Sequence, residues 1–420
     1  VSNNIDYIPY YGSYKGSQYT LLERSGNDWD TCSLLMALYR VSGIPCRYRR
    51  GIIRMQGDTV KNWIGVQDID TAWSIFWESY VPVGPIWEDT ASTKLSGLLF
   101  EHVFVEACLP YGNYRGIMND LSEQMWIPLD PSFKSYDYTE GNGQAKEVSF
   151  DSQSYLAGTT TLSPIQYFKQ QLQNQGISVE QAKRTRKIRQ QKFEVLPSAL
   201  PYYGQDDPYY KLDSYVSPPL SRLTINDRVR IELSTDRTSM FQQITDVPSL
   251  YGKRLAITYK GYQQEDERLI DEGKIHLAKL APELRADGVP IASGWFGLNI
   301  GETEELKLFL IPPHPGYSKE GIGYPNDVGE SRYLGYPYIL YTGAVHNLAL
   351  DTAGDTSGLI KSRVDRFIST IENSSSEDIN IMSEEIMGEL LCIAALRYLQ
   401  NTETELNELA SLKDYSINRR

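Results

Sequence analysis

Apolar positions along the chain fall into four regimes. From Asp30 to Val41 the residues read as a helix, apolar nearly all round between Leu34 and Leu38, as a buried helix is. Gly43 stops it and Pro45 prevents its resumption. Cys46 to Arg54 reads as a strand, and Asn62 to Tyr80 reads as a helical insertion that Pro82-Val83-Gly84-Pro85 closes. Two strands follow, one around His102 and one around Asp130, separated by a Tyr111–Gly116 turn. Residues 141–215 read as a helical connector. Ser163-Pro164 starts one helix and Gly176 ends it. Val179 to Lys192 reads as a second, carrying Lys183, Arg184, Arg186, Lys187, Arg189 and Lys192. Residues 205–208 and 217–219 mark loops.

From residue 216 to 352 the period becomes two. Val229, Ile231 and Leu233 alternate with Arg228, Arg230 and Glu232, and Leu255, Ile257 and Tyr259 repeat the pattern. Asp287-Gly288 is a hairpin signal, and Glu304–Ile311 and Tyr338–Leu350 add strands. This predicts an antiparallel sandwich or open barrel. Residues 353–420 are helical. Ile360, Val364, Phe367, Ile368 and Ile371 form one stripe, and a helix from Ser383 runs through Leu399 before a polar tail to Arg420. The fold class is α+β: a mixed N-terminal domain (1–140), a helical connector, an antiparallel β-rich domain and C-terminal helices.

Composition narrows the function classes. The chain has 420 residues, enough for several cores, and contains no apolar run long enough to span a membrane. A formal net charge of −13 argues against nucleic acid as a partner, and the basic run in the connector reads as a solvated helix face. Cys32, Cys46, Cys108 and Cys392 have no metal-ligand spacing and read as buried free thiols. His102, His276, His314 and His346 do not cluster, so neither a metal nor a cofactor is implied. The chain opens on Val1 inside a patterned segment, with no signal peptide, so a longer protein is expected around it.

The segment Gly26 to Gly51 resembles the active-site helix of the transglutaminase-like (papain-fold) superfamily. Its members carry a Cys, one residue, an Asp, then Leu-Leu-x-Ala-Leu-Leu-Arg and Gly-Ile-Pro-Ala-Arg. Leu34-Leu35, Ala37, Arg40, Gly43-Ile44-Pro45 and Arg47 anchor the match. Asp30 then falls on the family's Asp, and Asp28 on the nucleophilic cysteine. Glu101 to Glu106 resembles the strand bearing the catalytic His, here His102, and Trp126 to Ser132 the strand ending in the triad Asp, here Asp130. The opening Tyr7 to Gly16 resembles a bacterial subgroup found inside large exported proteins, often beside RHS repeats. That resemblance implies an extracellular or cell-surface location.

In active members the helix dipole and a neighbouring His lower the thiol pKa, and the thiolate attacks an amide carbonyl. A carboxylate at position 28 does no thiol chemistry, but it would sit well at a helix start and would pair with a protonated His102. The expectation is a transglutaminase-like domain that has lost thiol catalysis and serves as a binding or scaffolding module for protein or peptide. Trp29, Asp30, Trp126 and Tyr19 would line the groove. One alternative is an amidase, peptidase or cross-linking transferase that uses Cys32, one turn along the helix, or Asp28, with His102 and Asp130. A structural spacer is the other.

Overall fold

The computed structural model describes residues 1–89, 93–109, 125–190, 210–216, 226–236, 238–312, 332–334, 336–348, 355–375 and 383–413. The expected turn at 111–116, the loops at 205–208 and 217–219, His314 and the tail beyond Lys413 lie outside these residues. The chain is a mixed helix-and-sheet protein.

The N-terminal sheet is built on the 15-residue strand Leu95–Leu109, which pairs antiparallel with Cys46–Gln56 along one edge. Val83–Trp87 pairs with the other edge over 95–100, and Met125–Leu129 pairs with the same edge over 105–109. Residues 101–104 therefore lie in a gap between two partner strands. The helix Asp28–Val41 covers one face of the sheet, packing Trp29, Cys32 and Met36 on Val103 and Val105. The helices Gly57–Ile64 and Ile69–Glu78 cover the other, where Trp63 and Phe76 meet Ile53, Met55, Phe100 and Phe104. Tyr210–Val216, read from sequence as the end of the connector, adds a strand to this sheet beside Cys46–Gln56.

The connector differs from its sequence reading. The second helix is a single turn, Val179–Ala182, and Thr185–Ile188 is a strand paired with Tyr136–Thr139. The basic side chains explain the change. The Arg184 and Arg186 guanidiniums lie 4.3 and 4.6 Å over the rings of Tyr138 and Tyr136, and Arg186 Nη2 is 2.7 Å from Asp6 Oδ2. Tertiary cation–π and ionic contacts outweigh local helix propensity here.

Between 226 and 348 the described residues form two antiparallel sheets around one core. Arg228–Ser234 pairs with Ser239–Asp246 and with Thr303–Ile311, while Leu255–Gly261 pairs with Leu280–Ala286. Val229, Ile231, Leu233, Leu255, Ile257, Leu284 and Leu306 fill the space between the sheets. Asp287 and Gly288 both have positive φ, 47° and 82°, at a two-residue hairpin that needs that backbone.

The last helix, Ser383–Lys413, runs well past Leu399. Its end carries Leu409 and Leu412 onto Ile165, Phe168 and Leu172 of the connector helix Pro164–Asn174. That apolar contact explains why a polar-looking segment stays helical. Replacing Leu412 by Ala should cost about 2–5 kcal/mol and release both partners. Hydrogen exchange should then quicken over Pro164–Asn174 and over the last turns of the terminal helix, and unchanged protection of the connector helix would show that the contact is not what holds it.

Candidate functional site

Three side chains set the start of the helix Asp28–Val41. Asn27 is the cap: its Oδ1 accepts the Asp30 N–H at 2.9 Å, and its amide donates to the carbonyls of Tyr10 and Gly12. The capping role that the sequence suggested for Asp28 thus belongs to the residue before it. Asp30 is fully buried and turns toward the N-terminal segment. Its carboxylate accepts from the hydroxyls of Tyr10 and Ser13, both at 2.6 Å, and from the amides of Tyr14, Lys15 and Gly16. Tyr10 is buried with it, while Tyr7 is buried against Trp63 and Tyr11 donates to Glu101.

Asp28 faces the gap in the sheet. Its Oδ1 accepts the Trp29 N–H at 3.0 Å and its Oδ2 accepts the Val103 N–H at 2.9 Å. The carboxylate therefore takes the place of a strand partner for Val103. The same Oδ2 lies 3.4 Å from His102 Nδ1. On the other side of the ring, His102 Nε2 is 2.7 Å from Asp130 Oδ2. The imidazole is boxed by aromatic rings, with Trp63 edge-on at 5.8 Å and Phe100 at 6.0 Å between centroids. Asp130 Oδ1 accepts from the Ser132 N–H at 2.9 Å, from the Ser132 hydroxyl at 2.7 Å and from the Phe133 N–H at 3.2 Å. Asp28, His102 and Asp130 thus form one linear cluster.

The protonation of the cluster follows from its surroundings. Burial raises Asp28, and the pull of His102 with the amides of Val103 and Trp29 leaves it at about 6. Burial also opposes the Asp130 anion, but His102 and the Ser132 donors overcome it and hold that carboxyl at about 2. Burial lowers His102, while the charge and hydrogen bond of Asp130 and the charge of Asp28 raise it above its ordinary value. Asp130 is the fixed anion, the imidazole favours its proton, and Asp28 titrates near neutrality. Lys134 is also buried here. Its ammonium donates to the Pro131 carbonyl, and burial lowers its pKa to about 8.

Cys32 is completely buried, and its thiol donates to the Val103 carbonyl at 3.4 Å. Burial pushes its pKa well up, and the charges of Asp130 and Asp28 push in the same direction. Trp29 is buried in the core against Cys32 and Met36. Trp126 is 42% exposed beneath the Arg47 guanidinium and pairs with Cys108, six residues along the strand from His102. Tyr19 packs edge-on against Tyr251, with centroids 5.0 Å apart, beside Leu359 and Leu396. The structure therefore unites Asp28, His102 and Asp130, keeps Cys32 one turn along the same helix inside the core, and places Trp126 and Tyr19 elsewhere. Asn27, Ser132 and Lys134 join the site without having been singled out from sequence. Ser132, two residues after an Asp in a Pro-containing turn, was the most readable of them. No group of His, Cys, Asp and Glu able to hold a metal occurs among the described residues.

Residues 1–131 match the family model of the transglutaminase-like superfamily, and a transglutaminase-like domain forms the N-terminal part of this chain. No curated protein and no solved structure matches the chain.

Two results are expected. Asp28→Asn removes the anion facing Nδ1, so the His102 ring should lose its proton at lower pH than in the parent, read from imidazole nitrogen shifts in an NMR titration. An unchanged or higher midpoint would mean that Asp28 does not act on the ring. Asp30→Ala strands three amides and two hydroxyls inside the protein and should cost at least about 3 kcal/mol in urea unfolding.

Proposed function

We propose that the transglutaminase-like domain of this chain works without thiol catalysis, as a scaffold and binding module in a larger protein. The observation that carries this reading is the environment of residue 28. The position that resembles the family's nucleophile holds a carboxylate, and both of its oxygens are engaged, one on Trp29 and the other on Val103 and His102. The one cysteine on the same helix is enclosed, with an environment that disfavours its thiolate. The scaffold role is supported by what the domain's opening segment touches. Glu23 accepts the Tyr251 hydroxyl at 2.6 Å and pairs with Lys15 at 2.8 Å, both charges enclosed, and Ser13 accepts the Asp227 N–H at 3.3 Å. The segment that Asp30 ties down is thus the one that meets the β-rich part. The resemblance of Tyr7 to Gly16 to a bacterial subgroup of large exported proteins supports a cell-surface or extracellular setting.

A second reading has one observation in its favour. A carboxylate near pKa 6 beside an imidazole is suited to accept a proton from water at neutral pH. Asp28 would then be a general base in an amidase. The engagement of both its oxygens weighs against that role.

The test is thiol reactivity. Iodoacetamide at neutral pH should leave Cys32 unmodified in the folded protein and modify it after unfolding, read by peptide mass mapping with Cys32→Ala as control. Selective alkylation of Cys32 in the folded state would revive the thiol-enzyme reading.

A further inference from the structure

The β-rich part has two ends, and they differ. Strand register puts Arg228, Asp246, Leu255 and Ala286 at one end, the end whose Asp227 and Tyr251 meet the N-terminal domain. Ser234, Glu305, Gly261 and Leu280 lie at the opposite end. The connecting segments at that far end carry large apolar side chains that the fold leaves in water. Trp295 is 69% exposed and Leu277 61%, with Phe296, Ile300 and Tyr262 also exposed.

Trp295, Tyr262 and Ile300 are held in position. The Trp295 indole N–H donates to the Ser239 carbonyl. The Tyr262 ring lies over Gly297, where an added Cβ would come within 2.8 Å of the ring, and Ile300 lies over Gly343 at the same spacing. The Leu280 and Leu298 amides and carbonyls exchange hydrogen bonds at 2.8 and 2.9 Å, tying the two segments together. An ordered group of exposed aromatic and aliphatic side chains is the composition of an interface centre, not of an ordinary surface.

Charge selects among occupants. Residues 262–279 and 299–302 contain six carboxylates (Glu265, Asp266, Glu267, Asp271, Glu272, Glu302) and three cations (Arg268, Lys274, Lys279). Arg268 and Lys274 are already paired with Glu265 and Glu272. The rim is therefore acidic, in a chain of formal charge −13. An anionic bilayer and a second copy of this chain are both repelled by such a rim. A partner that offers apolar anchors flanked by Lys or Arg meets both the centre and the edge.

We propose that the far end of the β-rich part is a docking surface for a basic, apolar-anchored protein segment. The site lies apart from the His102 cluster, and the proposal does not depend on whether that cluster is catalytic. The experiment uses the full chain and two fluorescein-labelled amphipathic helical peptides, one of lysine and leucine, the other of glutamate and leucine. Fluorescence anisotropy should show saturable binding of the lysine peptide that weakens as salt rises. Trp295→Ser combined with Leu277→Ser should weaken it at least tenfold, and so should Glu302→Lys combined with Asp271→Lys. All four positions are exposed, and circular dichroism with urea midpoints verifies that the variants remain folded. Equal binding to parent and variants would overturn the proposal, as would equal binding of the glutamate peptide. Co-sedimentation with phosphatidylserine vesicles that Trp295→Ser abolishes would overturn it in favour of a membrane. Concentration-dependent dimerisation abolished by the same substitution would overturn it in favour of self-association.

Discussion

The N-terminal domain depends on one carboxylate placed where the described strands of its sheet leave a gap. Leu95–Leu109 is paired along one edge over residues 97–107, but its other edge is shared by two short strands that leave residues 101–104 between them. A backbone amide left unpaired inside a protein is costly. Asp28 supplies the acceptor for Val103 and, with the same oxygen, faces the imidazole that the strand presents next door. The helix start, the strand and the His102–Asp130 pair are thereby joined in one network. Removing any member exposes the others to an unmet polar requirement.

This arrangement also changes what the site is suited to do. A thiol at residue 28 would be a poor acceptor for the Val103 amide, because sulfur accepts weakly. The carboxylate meets that amide with a full acceptor and carries no thiol chemistry. Burial raises Asp28 toward neutrality while His102, with the Ser132 donors, holds Asp130 ionised, so two carboxylates flanking one ring have unlike protonation behaviour. On the function proposed above, the arrangement is a fixed cluster and not a nucleophile waiting for substrate.

Much of this was legible in the residues, and the parts that were not share a cause. The helix of Leu34–Leu38, the strand of Cys46 and the alternation at Val229–Leu233 declare themselves because their signal is local periodicity. The N-terminal domain was legible too, since its three motifs follow in order and the transglutaminase-like family model matches residues 1–131. The cap at Asn27 was hidden because the carboxylate of Asp28 beside it reads as equally well placed at a helix start. The choice was made by the carbonyls of Tyr10 and Gly12, from a distant turn. The strand at Thr185–Ile188 was hidden for the same reason: its arginines read as a helix face until Tyr136, Tyr138 and Asp6 are seen beneath them. Tyr10 is buried by an Asp30 network that no spacing rule encodes, and Tyr7 and Tyr11 by Trp63 and Glu101, which are remote in sequence.

The most direct measurement is ammonia release from a glutamine-containing peptide by the purified chain, with and without a primary amine acceptor. A closed carboxylate–imidazole cluster predicts no release above that of the peptide alone. Release above that background, lost in Cys32→Ala or in Asp28→Asn, would contradict it and identify the residue that does the chemistry.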